Sequence, residues 1–476
     1  MTSSPGISDS FNTLGFDVSN SRKSFLDTSS SRSLSTPRRP LSSTTGLLSS
    51  SLYSSSSAEE KVILDLGTFT LRAGFSGDPT PTHKEELFGV FKTAGETNRL
   101  VGEKYGLLVH PEDMLESLML EQLRQVYRQH LLLDAKTKKV AVVESPLLPI
   151  PVKRALLKVL LGNLRVPQVS FYPAPVLALM TCGRNSGLVV DCGHRGSVVA
   201  PVYDSRPLTS YLVSSPLGGH LLFANLRALL KQFASFTRFD DGQKVDLSSL
   251  QDDLCDGVLS DRVVYHLMTR ILYTSSVALP MANIRKPGME LGVGVVGSRL
   301  VDWFESSVTA NSSTMRLTID SPQYGRVVLE FPSWVRERST EVFFAGDAIK
   351  DHVGLVDAIV QCIERAPVDI RRTLVNNILV VGGVSDMPNF RIRLLHDLVA
   401  KLRLLPRWSA LADEAALADE RSGNPTKNSA NGTVFRASER PWIGASIAVA
   451  SKIGGIDVRR DEFDEFLLPD WTGSTT

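Results

Sequence analysis

The sequence predicts an α/β fold, and three observations predict it. Two short apolar runs end in the same Asp-x-Gly turn, a third ends in Gly-Gly, and stretches with apolar residues at three- and four-residue spacing separate them. In chain order, Val62-Ile63-Leu64 reads as a buried strand that ends at Asp65-Leu66-Gly67-Thr68, and Thr70 to Phe75 reads as its partner. Helical spacing follows over Glu112 to His130, Val152 to Leu164 and Ala174 to Thr181. At Gly187 the opening pattern repeats: Leu188-Val189-Val190 leads into Asp191-Cys192-Gly193-His194 and then into a second apolar run, Val198 to Tyr203. A helix is expected from Gly218 to Phe233 and a mixed, strand-like excursion from Met315 to Phe344. Ile378-Leu379-Val380-Val381 ends in Gly382-Gly383, and after Pro388 a helical pattern runs from Phe390 to Leu402. The polar stretch of about 409–432 reads as a surface loop, and Trp442 introduces an apolar, small-residue helix over Gly444 to Ile453.

Composition narrows the function classes. A chain of 476 residues that is 42% hydrophobic and 22% charged can bury a large two-part core. Its net charge of +1 gives no basic excess for a polyanion, so neither nucleic acid nor an anionic membrane is expected as the main partner. No apolar run approaches the ~20 residues of a spanning helix, so no membrane insertion is expected. Cys182, Cys192, Cys255 and Cys362 are widely spaced, which argues against a disulfide scaffold and for a reducing compartment. The histidines show no metal-ligand spacing. Residues 1–60 are rich in Ser and Thr and lack apolar periodicity, so a disordered leader is expected; Asp9, Asp17 and Asp27 speak against an organelle transit peptide.

The chemistry-bearing features are the turns. A strand that ends in Asp-x-Gly and turns tightly into the next presents successive backbone N–H groups, a concave anion site that needs no basic side chain. Two such hairpins facing each other can clasp a nucleotide's phosphates, with Asp65 and Asp191 placed to hold a hydrated divalent cation through water. A lone Asp-x-Gly occurs in countless turns; two in matching strand contexts together with a Gly-Gly turn carry more weight.

These motifs make a resemblance specific. Asp65-Leu66-Gly67-Thr68 followed by Ala73-Gly74-Phe75-Ser76-Gly77-Asp78 resembles the first phosphate loop of the actin family. Val143-Glu144-Ser145-Pro146-Leu147, Val189-Val190-Asp191-Cys192-Gly193, Pro201-Val202-Tyr203, Val368-Asp369-Ile370-Arg371, Val381-Gly382-Gly383 and Trp442-Ile443-Gly444-Ala445-Ser446 fall in the family's order. The resemblance implies the actin-like ATPase fold shared with Hsp70 and hexokinase, in which two lobes flank a nucleotide cleft. The first lobe would comprise residues 61–184 plus 440–476, with a reduced second subdomain, and the second would comprise 185–439. It implies ATP or ADP with Mg held by Asp65, Gly67, Thr68, Arg72, Asp191, Gly193, Gly219, Gly382 and Gly383, the two aspartates reaching the metal through water.

Departures from the pattern imply a hydrolysis-poor or inactive site. Ala174 stands where the family's water-positioning glutamine belongs, His194 replaces an aspartate that orders the metal's water shell, and Val198 replaces a histidine. Arg72 replaces a phosphate-contacting lysine, with a different donor geometry. Phe69 occupies a position that is small in actin, and Met268 and Thr269 fall where a Lys and a Glu contact adenosine. The alternative is a cleft that holds no nucleotide and is kept as a packing seam between the lobes.

Within the family, Tyr127-Arg128-Gln129-His130-Leu131-Leu132, Val140 to Ser145, Arg195, Pro216-Leu217-Gly218-Gly219 and Leu468-Pro469-Asp470-Trp471 resemble the pointed-end actin-related proteins of dynactin. The interval from Asp78 to Lys139 is short and contains little that resembles actin's second subdomain, a filament contact. The resemblance implies a non-catalytic cap on the pointed end of dynactin's actin-like filament. Its partners would be the filament protein and the other pointed-end subunits, and through them dynein and microtubules, in the cytoplasm and cytoskeleton. The rival is a nuclear actin-related scaffold of a chromatin-remodelling complex.

Overall fold

The structure, a computed structural model, describes residues 60–86, 112–240, 242–275, 313–321, 323–345, 354–419, 435–464 and 468. Of the expected leader only Glu60 is among them, and 420–432 of the expected polar loop lies outside them.

β1 (Val62–Leu66) and β2 (Thr70–Phe75) form the first hairpin, with Asp65 opposite Arg72, and β3 (His83–Glu86) lies antiparallel to β2. The helical spacing that begins at Glu112 yields α1 (Glu112–Gln125), which widens into a π-helical turn, Val126–His130. β4 (Val140–Glu144) is buried at every position and lies parallel to β1. Burial on both faces is why its sequence is continuously apolar and not alternating. α2 (Ile150–Leu157) carries Pro151 in its first turn, where a missing N–H costs nothing, and it too widens, over Lys158–Asn163. β5 (Gln168–Pro173) runs parallel to β4 and leads directly into α3 (Ala174–Met180).

The second half repeats the scheme. β6 (Gly187–Cys192) pairs antiparallel with β7 (Ser197–Tyr203), which also pairs with β8 (Arg206–Pro207) and β9 (Val213–Ser215). α4 (Gly219–Phe233) follows. β10 (Ser235–Arg238) and β11 (Lys244–Asp246) then form a four-stranded sheet with β12 (Thr314–Ser321) and β13 (Gly325–Pro332). α5 (Asp261–Ile271) is capped by Ser260, whose hydroxyl accepts from the Val263 N–H. The strand-like reading of 315–344 holds only to Pro332; Val335–Arg338 and Val342–Ala345 are helical turns. α6 (Leu355–Arg365) and α7 (Val368–Asn376) precede β14 (Ile378–Val381), which lies parallel to β6, and α8 (Phe390–Leu404) follows. Residues 409–419, read as part of a surface loop, are instead packed: Ser409–Ala412 is helical, Leu417 bridges Ile378, and Ala412, Leu417 and Ala418 are buried. The alanines and leucine scattered among the acids supply the apolar contacts that the overall polarity hid.

The chain then returns to the first half. α9 (Arg440–Ala450) packs on α3, β1 and β4, and fully buried Trp442 donates its indole N–H to the Ile63 carbonyl at 3.4 Å. A Cβ on Gly444 would run into the Leu177 backbone, so glycine sets how closely α9 meets α3. β15 (Ile456–Arg459) adds antiparallel to β5 and completes a six-stranded sheet in the order β15-β5-β4-β1-β2-β3. Asp457 and Arg459 thus lie on a sheet edge.

Candidate functional site

The expected site is built from three turns. In the first, the Gly67 N–H donates to the Thr70 carbonyl at 2.9 Å, and a Cβ at Gly67 would lie only 3.0 Å from that oxygen. In the second, the Gly193 N–H donates to the Gly196 carbonyl at 3.0 Å. The third follows β14: Gly382 has φ +93, and a Cβ there would sit 2.6 Å from Asp191 Oδ1, so glycine is required on two counts. Gly383 beside it faces open space. The β6–β14 register, with Val381 opposite Asp191, brings the second and third turns together.

The side chains are arranged differently from the expectation. The Asp65 carboxylate accepts from Arg72 Nη1 at 2.7 Å across the first hairpin through one of its oxygens. Arg72 is buried and Asp65 half-buried, so the guanidinium is committed as a counter-ion. Burial, and then the neighbouring Asp65 charge, push the Asp191 carboxyl up to about 6, with Arg72 opposing. The same guanidinium thus balances both aspartates.

Phe69, next in the first turn after half-buried Thr68, is itself buried. Its ring stacks on that of His194 in the second turn, centroids 4.5 Å apart and planes 22° apart, and tilts against Tyr265 of α5 at 5.0 Å. Burial, with His220 and Arg195 nearby, holds His194 down to about 3, so the stacked ring is neutral. Tyr265 is raised above the usual phenol range by burial and by Glu86 of β3. The N-terminus of α4 is also spoken for: Gly219 N–H donates to the Gly193 carbonyl at 3.0 Å, and His220 N–H to the His194 carbonyl at 2.9 Å. His194 Nδ1 would lie 3.3 Å from a Cβ on Gly219.

The three turns therefore meet: the Phe69–His194 stack joins the first two, and the β6–β14 register and the Gly219–Gly193 bond bring the third turn and α4 alongside the second. Ala174 is buried in an apolar cluster with Ile63, Val143 and Leu177, and offers no polar atom to a water. Met268 packs on the second half's core, while Thr269 is exposed and bonds back to its own helix at Tyr265, 3.1 Å. Among the described residues no cluster of three or more His, Cys, Asp or Glu could hold a metal ion, and no helix is long and apolar enough to cross a membrane. Sequence reasoning singled out Phe69 and His194 as unusual but missed that they meet, and it missed Tyr265 altogether. The one signal for Tyr265 was an aromatic residue on the strongly amphipathic α5.

It also missed a charged cluster where the chain crosses between the halves. Asp419 accepts from Arg440 Nη2 at 2.9 Å and pairs with Arg391, while Arg440 Nη1 donates to the Cys182 thiol at 2.8 Å. All four cysteines are free.

The family model described as Actin matches residues 56–247 and 314–466. Among similar proteins, actin-like protein 7A of Bos taurus is 24% identical over 360 residues, which is 71% of this chain and 70% of that one. Actin-related protein 4 of Arabidopsis thaliana is 25% identical over 342 residues, 67% and 68% of the two chains. Centractin of Saccharomyces cerevisiae is 22% identical over 363 residues, 72% of this chain and 83% of its own.

Proposed function

Because the chain belongs to the actin family, we propose that it is a structural, non-hydrolysing actin-related protein of the actin-related protein 10 type. In this reading it caps the pointed end of dynactin's actin-like filament and so supports dynein-driven movement along microtubules in the cytoplasm. The observation that carries the structural, non-hydrolysing part is the cleft: the family's turns are kept, while Ala174 is apolar and Asp65 is committed to Arg72. A subunit whose turns serve to hold a shape fits a stationary place in an assembly better than a hydrolytic cycle.

The pointed-end part is supported by the motif agreements at Tyr127 to Leu132, Val140 to Ser145 and Pro216 to Gly219, and by similarity to centractin. The short interval between Asp78 and Lys139 supports it as well, because a subunit with little at this end offers the next one no grip and terminates the filament by omission. Affinity purification from native cells followed by mass spectrometry tests the reading. Dynactin subunits and an actin-like filament protein are expected. Recovery of chromatin-remodelling subunits instead would replace it with the nuclear scaffold, a reading to which similarity to actin-related protein 4 lends some support. Release of phosphate from ATP by the purified protein at actin's own rate would refute the non-hydrolysing part.

A further inference from the structure

A metal-bound nucleotide needs three things from such a cleft: open space between the first two turns, unspent N–H donors, and carboxylates free to order a hydrated cation. In this chain the protein itself takes up part of each. Space between the turns is filled by the Phe69 ring lying on His194, with Tyr265 behind it. The N–H groups of Gly219 and His220 at the head of α4 are spent on the carbonyls of Gly193 and His194. Asp65 is held by Arg72, a fixed cation whose charge also acts on Asp191. Two side-chain atoms, His194 Nε2 and Arg195 Nη1, are buried without a hydrogen-bond partner among the described residues, and Gly383 faces open space. Those atoms suit water or a simple anion. A metal-bound triphosphate does not fit the residues present.

The three rings come from both halves, Phe69 from the β1–β2 turn and His194 and Tyr265 from the β6–β7 turn and α5. We propose that the Phe69–His194–Tyr265 stack, with the Arg72–Asp65 pair beneath it, is an internal clasp that joins the two halves in place of a nucleotide. The subunit then folds and stays closed with no nucleotide or divalent cation. This does not depend on which assembly the protein serves, so it stands or falls separately from the pointed-end reading.

The full-length protein, purified without added nucleotide, tests the clasp. Acid extraction and chromatography should recover no stoichiometric nucleotide, and the melting temperature should be unchanged by EDTA or by saturating Mg·ATP. A ligand at about 100-fold over its Kd would raise it by several degrees. Phe69→Gly should lower the melting temperature and Phe69→Tyr, which keeps a ring in the stack, should preserve it. Should Phe69→Gly fail to fold, Tyr265→Ala at one end of the stack should give a smaller drop in the same direction. Bound nucleotide at one per chain, destabilisation by EDTA, stabilisation by Mg·ATP, or ring-deleted variants as stable as the parent would each overturn the proposal.

Discussion

At the scale of single residues, the cluster around Asp419 shows what charge burial demands. The side chains of Asp419 and Arg440 are only 5% and 3% exposed, and Arg391 shares the same carboxylate. Removing one partner from a buried ion pair leaves a charge without compensation and typically costs about 3–5 kcal/mol. Asp419→Ala is accordingly expected to lower unfolding free energy by roughly that amount in denaturant titration. Replacing Asp419, Arg391 and Arg440 together by leucine should cost less than the single change. None of this was legible in the sequence. Asp419 sits in a polar stretch whose composition says loop, and a charge in a linear string carries no sign of the cation it will meet. Phe69 and His194 were legible as substitutions of an expected pattern, but their stacking is a fact of tertiary approach that no local period encodes.

At the scale of elements, the hairpin β2–β3 meets the π-helical turn after α1 through two histidines. The rings of His83 and His130 stack with centroids 3.6 Å apart and planes 15° apart, and Glu85 lies 3.4 Å from His83. Burial pulls the His83 pKa below its ordinary value of 6.5; the His130 charge adds to this, while Glu85 opposes it. A histidine depressed in the folded state contributes stability that is complete above 6.5 and is lost as pH falls through its folded value. The melting temperature should therefore drop on acidification below about pH 6.5, and more steeply in the parent than in His83→Phe, which keeps the stack without the titration. Legibility at this scale followed burial. β1, β2, β4 and β14 are buried enough to read as unbroken apolar runs, whereas β15, with Asp457 and Arg459 on an exposed edge, lacks that signal and was missed. The π-helical widenings at Val126–His130 and Lys158–Asn163 kept the helical period and so left no trace in it.

At the scale of the whole molecule, family and fold were legible because turns that need Asp and Gly leave a fixed pattern in sequence, and the actin match spans both halves. How the cleft is filled was not, since the same turns serve an open site and a clasped one. The return of α9 to the first sheet has a kinetic side. Trp442 donates to Ile63, 379 positions earlier in the chain, whereas β1 pairs with β4 from Val62 to Val140, a much shorter closure. Loop-closure entropy is charged before such distant contacts give anything back. The returning pieces should thus dock last: pulse-labelled hydrogen exchange during refolding should protect β1 and β4 before α9 and β15. Until Trp442 arrives, the strands made first wait with one face uncovered and β5 with a bare edge, an interval in which a chaperone has something to hold.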